Sequence, residues 1–117
     1  MKILLFLLIF MPFQQSFFQK DSVQTGIASY YAKKFDGRTT ASGQKFSNKE
    51  LTAAHKTLSF GTKVKVTNLK NEKSIVVEIT DRLPVKSKRC IDLSYKAAKQ
   101  LDFISAGTAK VTIEILK

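Results

Sequence analysis

Three stretches of the chain alternate apolar and polar residues with a period of two, and this restricts the fold more than any other feature. Residues 63–67 read Lys-Val-Lys-Val-Thr, residues 74–80 put Ile75, Val77 and Ile79 on one side, and residues 108–116 do the same with Val111, Ile113 and Ile115. Successive side chains of a strand point to opposite faces, so each stretch offers one face to a core and the other to water. A polar turn at 68–73 joins the first two into a hairpin. Residues 25–31 alternate weakly but are rich in β-formers, which predicts a further strand. Leu51-Thr52-Ala53-Ala54-His55 reads as either a short buried strand or one helical turn. Gly61 stands where a turn needs positive φ, and Gly107 is a break. One helical stripe is present, for Ser94 can cap residues 95–102, where Ala97, Ala98 and Leu101 share a side. The expectation is an all-β domain with one short helix.

The 117 residues have room for one small domain with a single core. A net charge of +11 attracts polyanions without specifying which. The basic residues are spread along the chain, with no compact basic run and no aromatic-rich RNA-binding signature, so nucleic acid is not expected. Met1-Lys2, an apolar run over residues 3–13 and the polar Gln14-Gln15-Ser16 have the form of a secretory signal peptide. The run is short of the roughly 20 apolar residues that span a bilayer, although an uncleaved anchor is the alternative. The expected organisation is a signal peptide at about residues 1–18, a linker at 19–25 and a folded domain at 26–117. The protein is expected to be exported to the periplasm or beyond, monomeric and without a membrane anchor after cleavage.

Cys90 is the only cysteine and His55 the only histidine. An intrachain disulfide, a cysteine-based zinc site and a multi-histidine metal site are thereby excluded, and no cofactor is expected.

The strand at 74–80 runs directly into Asp81-Arg82-Leu83-Pro84. A carboxylate at the end of a rigid element and the start of a loop suits chemistry, because the scaffold fixes the backbone while the side chain stays open. An Asp-Arg pair tying the turn together is the other reading. Residues 33–49 form a long polar loop, a kind that is usually functional in a compact domain.

The motifs Gly26-Ile27-Ala28-Ser29-Tyr30-Tyr31, Thr39-Thr40-Ala41-Ser42-Gly43, Leu51-Thr52-Ala53-Ala54-His55-Lys56-Thr57-Leu58, Val64-Lys65-Val66-Thr67-Asn68, Asp81-Arg82-Leu83-Pro84 and Ile91-Asp92-Leu93-Ser94-Tyr95-Lys96-Ala97-Ala98, in this order, resemble the RlpA-like (rare lipoprotein A) family. The resemblance implies a six-stranded double-psi β-barrel and a lytic transglycosylase acting on peptidoglycan glycan strands, preferably those lacking stem peptides. It carries the family's aspartate and histidine to Asp81 and His55. The chain departs from the family pattern at Gln44 and Ser47, where carboxylates are common, and at Leu83, where a glycine is common. Leucine there is costly if the position needs positive φ. The leader also lacks the cysteine of a lipoprotein.

Lytic transglycosylation needs a single acid, since the muramic acid's own 6-hydroxyl is the nucleophile, whereas hydrolases add a second carboxylate. Position along the chain leaves Asp36, Glu50, Asp81 and Asp92 as candidates, and Asp81 leads. A free aspartic acid is ionised near neutral pH, so an acid role asks that Arg82 point elsewhere, with Asp92 as its expected partner. His55 either supports a barrel strand or faces Asp81 across a groove. Of Tyr30 and Tyr31, one should enter the core and the other stack on sugar; Tyr31, Thr39, Thr40, Gln44, Asn68 and Arg82 are the candidate substrate contacts. The alternative functions are a non-catalytic, expansin-like glycan-binding module, which the loss of acids at 44 and 47 favours, and a domain that binds acidic polymers by charge alone.

Overall fold

The computed structural model describes residues 23–117, so the expected signal peptide lies outside the described residues. Six strands form a closed barrel: β1 (Val23–Tyr30), β2 (Thr52–His55), β3 (Lys63–Asn68), β4 (Ser74–Arg82), β5 (Ile91–Leu93) and β6 (Ala109–Ile115), with one α-helix, α1 (Tyr95–Gln100), between β5 and β6. Around the barrel the order is β1-β5-β2-β4-β3-β6. Two pairs are parallel, β1 with β5 and β2 with β4, and the remaining contacts are antiparallel. This is the double-psi arrangement expected from the sequence. Strand β1 already includes Val23, Gln24 and Thr25, which the sequence reading assigned to a linker.

The alternating stretches behave as their pattern requires. Val64, Val66, Val77, Ile79, Val111 and Ile113 fill the barrel with almost no exposure, joined by Ile91 and Leu93 of β5. Each such side chain contributes about 1.5–3 kcal/mol by leaving water. The ambiguous segment at 51–55 is the strand β2, because Ala53 and Ala54 are small enough to lie between two neighbours deep in the wall. Helix α1 closes one end: the Ser94 hydroxyl accepts from the Ala97 N–H, and Ala97, Ala98 and Leu101 are turned into the core. Gly61 has φ +91°, as its turn demands, and donates its N–H to the Ile79 carbonyl.

The long loop is ordered. A 3₁₀ turn (Lys33–Phe35) leads into a small flap in which the Gly37 N–H donates to the Phe46 carbonyl and the Phe46 N–H to the Arg38 carbonyl, and Thr39 pairs with Lys45. Phe46 is buried beneath it, and the Ser42 N–H reaches the Thr80 carbonyl, pinning the flap to β4.

Candidate active site

Strict alternation along β4 would place Asp81 on the same face as Val77 and Ile79, inside the barrel. It does not lie there, because the register between β2 and β4 slips by one residue. Ala53 faces Ile79 but Ala54 faces Asp81, and the extra residue, Thr80, is buried. A bulge of this kind re-aims the side chains that follow it. Asp81 thereby reaches the wall of a groove of about 680 Å³ between the flap, the end of β1, the end of β4 and β5.

Among the described residues, every donor to the Asp81 carboxylate is uncharged. Its Oδ1 accepts the N–H of Ala41 in the flap at 2.9 Å and that of Arg82 at 2.9 Å, and its Oδ2 accepts the Tyr31 hydroxyl at 2.6 Å. Tyr31 is held by stacking on Phe46 (centroids 4.2 Å apart) and by an edge contact with Phe35. Burial, then the hydrogen bond to Asp81 and the charges of Asp81 and Asp92, push the Tyr31 phenol far above its ordinary range, so it stays protonated.

Arg82 does turn away from the Asp81 carboxylate, but not toward Asp92 as the sequence suggested. Its guanidinium lies 4.3 Å from the Phe60 ring centre and donates to the His55 carbonyl at 3.1 Å. Asp92 is instead taken by Arg89, through Nε to Oδ1 at 2.7 Å and Nη2 to Oδ2 at 3.0 Å, and Ser29 donates to the same Oδ1 at 2.6 Å. Arg89 sits three residues from Asp92 on the same chain turn, so it needs no reach across the groove. Both oxygens of Asp92 are thus committed, whereas Asp81 has no ion pair among those of the described residues.

His55 does not join the groove. Its Nδ1 accepts from the N–H groups of Thr57 and Leu58, both at 3.1 Å, and its Nε2 lies 3.0 Å from Gln24 Oε1. Two donors on Nδ1 make Nε2 the protonated nitrogen, and neither ring nitrogen is left for substrate. Burial first, then Arg82 and Lys56, hold the imidazole below its usual 6.5. Asn68 is likewise consumed by structure: its Nδ2 donates to the Leu101 carbonyl, its Oδ1 accepts from Lys70, and it borders a separate cavity at the other end of β3. Both residues sit where a loop needs its orphan backbone groups satisfied, a task the sequence does not distinguish from ligand binding.

Tyr31, Thr39, Thr40, Arg82 and Asp92 line the groove together with Asp81. Gln44 is exposed at the flap tip, outside the lining, and gives its carbonyl to Thr40. Ser47 is also outside it. Leu83 is buried and is not among the described non-glycine residues with positive φ, so leucine costs no backbone strain there. The sequence reading did not single out Phe35, Arg38, Phe46 or Arg89, since each depends on long-range packing of the flap and β5. Among the described residues no three of His, Cys, Asp and Glu cluster to hold a metal.

Residues 23–113 match the family model described as lytic transglycolase. Endolytic peptidoglycan transglycosylase RlpA of Haemophilus influenzae is 50% identical over 97 residues, 83% of this chain and 34% of the relative. Probable endolytic peptidoglycan transglycosylase RlpA of Treponema pallidum is 53% identical over 91 residues, 78% of this chain and 29% of the relative. The chain therefore spans about a third of the length of the curated relatives it matches. Among solved structures, Streptomyces papain inhibitor is similar in fold, with a TM-score of 0.67 at 22% identity, covering 81% of this chain and 94% of its own.

Proposed function

This chain belongs to the lytic transglycolase family, and on that premise we propose that it cleaves peptidoglycan glycan strands as an endolytic transglycosylase. One observation carries the reading: a carboxyl group that forms no ion pair among the described residues stands on the wall of an open groove, fixed by a strand end and the flap. Asp81 is the acid. Sugar filling the groove displaces water from the carboxyl, which favours its uncharged form. Its proton passes to the glycosidic oxygen as the bond from the muramyl C1 breaks. The muramyl 6-hydroxyl then adds to C1, and its proton returns to the Asp81 carboxylate. No water is consumed, and the products are a free 4-hydroxyl and a 1,6-anhydromuramyl end.

One acid suffices for this sequence of steps, which matches a groove whose other carboxylate, Asp92, is tied to Arg89 and Ser29. Asp92 supports the wall. Thr39, Thr40 and Arg82 contact sugar hydroxyl and N-acetyl groups, and Tyr31 presents part of its ring. His55 and Asn68 hold the scaffold, and Gln44 meets only a strand that extends past the flap. Such a substrate lies outside the cytoplasmic membrane, where the leader at residues 1–18 would deliver a monomeric protein. Glycan strands without stem peptides fit best in a groove walled by a flap on one side.

The test is mass spectrometry of products from naked glycan. Wild type should release 1,6-anhydromuramyl ends and Asp81→Asn should not, while both bind the strand. Binding without release by folded wild type would replace this reading with the non-catalytic module, which the absence of carboxylates at Gln44 and Ser47 favours.

A further inference from the structure

The donors around Asp81 are distributed unequally. A carboxylate offers about four lone-pair sites, two on each oxygen. On Oδ1 two N–H groups, from Ala41 and Arg82, occupy both, and both are main-chain donors that cannot move away without unfolding the flap or the strand end. On Oδ2 the Tyr31 hydroxyl occupies one, which leaves one site that no described residue fills. The phenol itself is immobilised between Phe46 and Phe35. Because burial and the neighbouring carboxylates keep it un-ionised, it can donate to Asp81 but supplies no proton to the reaction.

From this arrangement, and resting on the assignment of Asp81 as the acid, we propose that Tyr31 is a positioning residue for proton transfer. It locks the carboxyl in one rotamer and confines the transferable proton to that remaining site of Oδ2. Once the proton has moved to the glycosidic oxygen, the Tyr31 O–H shortens onto the charged oxygen and stabilises the anion left behind. Hydrogen bonds to an ionised acceptor are about twice as strong as neutral ones, so the contact is stronger after transfer than before. An interaction that strengthens along the reaction lowers the barrier instead of merely improving binding. The ring is accordingly a support for Asp81 more than a sugar platform.

Tyr31→Phe removes the hydroxyl and keeps both ring contacts. On naked glycan it should lower kcat by roughly 10- to 100-fold, a smaller loss than that of the acid itself, with KM within about twofold. Adding Tyr31→Phe to Asp81→Asn should cost nothing further, as for two residues acting as a unit. A second readout does not need turnover. In NMR of the free protein, the Tyr31 hydroxyl proton should be protected from exchange, and the Asp81 carboxyl carbon resonance should move in Tyr31→Phe, because its 2.6 Å donor is gone. The other charged groups at this wall, Arg38, Arg82, Arg89 and Asp92, are the same in both proteins. Unchanged kcat, a loss confined to KM, or an Asp81 carboxyl resonance indifferent to the hydroxyl would each overturn the proposal. Wild type that folds, couples Tyr31 to Asp81 by NMR and yet releases no anhydromuramyl product would sink the enzymatic reading alone.

Discussion

Asp81 could be picked out of the sequence because a strand pattern ends on it and a proline follows soon after. Its partners could not, for Tyr31 lies 50 positions away and nothing local announces the contact. The same limit explains Arg82 and His55: side chains with several competing partners choose by three-dimensional reach, and Arg82 settles on the His55 carbonyl and the Phe60 ring while Arg89 takes Asp92. Asp81→Asn should reduce product release by about 100-fold or more, the typical worth of a general acid, without weakening strand binding, as checked by calorimetry beside the product assay. His55 supplies a prediction about pH. Its folded ring resists a proton that the unfolded chain accepts with the usual value of 6.5. The stabilisation is complete above that value and is lost as the pH falls through it toward the lowered folded value. Urea melts should therefore show stability declining between about pH 7 and 5, and His55→Gln should flatten the decline.

Elements with a clear period were legible: β3, β4, β6 and α1 follow from alternation or a helical stripe, and lie within a few residues of the expected bounds. Strand β5 is three residues long, too short to have a period, and the parallel pairing of β1 with β5 leaves no mark in either segment. The bulge at Thr80 was hidden as well, since the alternation of β4 runs unbroken to Ile79 and the extra residue shows only against β2. One close approach is testable. A Cβ added to Gly26 would come within 2.7 Å of Cys90 Sγ and 2.8 Å of its Cβ. Gly26→Ala should thus destabilise the barrel by about 1–3 kcal/mol in denaturant melts, the usual cost of forcing atoms into a filled interior. Cys90→Ala should relieve this only in part, because the Cβ stays in place.

At the scale of the molecule, the net charge of +11 implies attraction to anions but does not say where cations would meet the proposed glycan. Two guanidiniums, Arg38 over Phe35 and Arg82 over Phe60, line the groove without a carboxylate partner among the described residues. Raising salt from about 0.01 to 0.15 M shortens the screening length roughly fourfold. Affinity for muramyl-containing glycan with free carboxylates should fall over that range, while affinity for neutral N-acetylglucosamine oligomers should hardly change; isothermal titration separates the two. The strand order has one more consequence. Strand β1, the first described, is flanked by β5 and β6, the last two, with Val23 aligned to Glu114. None of β2, β3 and β4 pairs with β1, so the cylinder stays unzipped until β5 and β6 have been synthesised, and closure waits on β6.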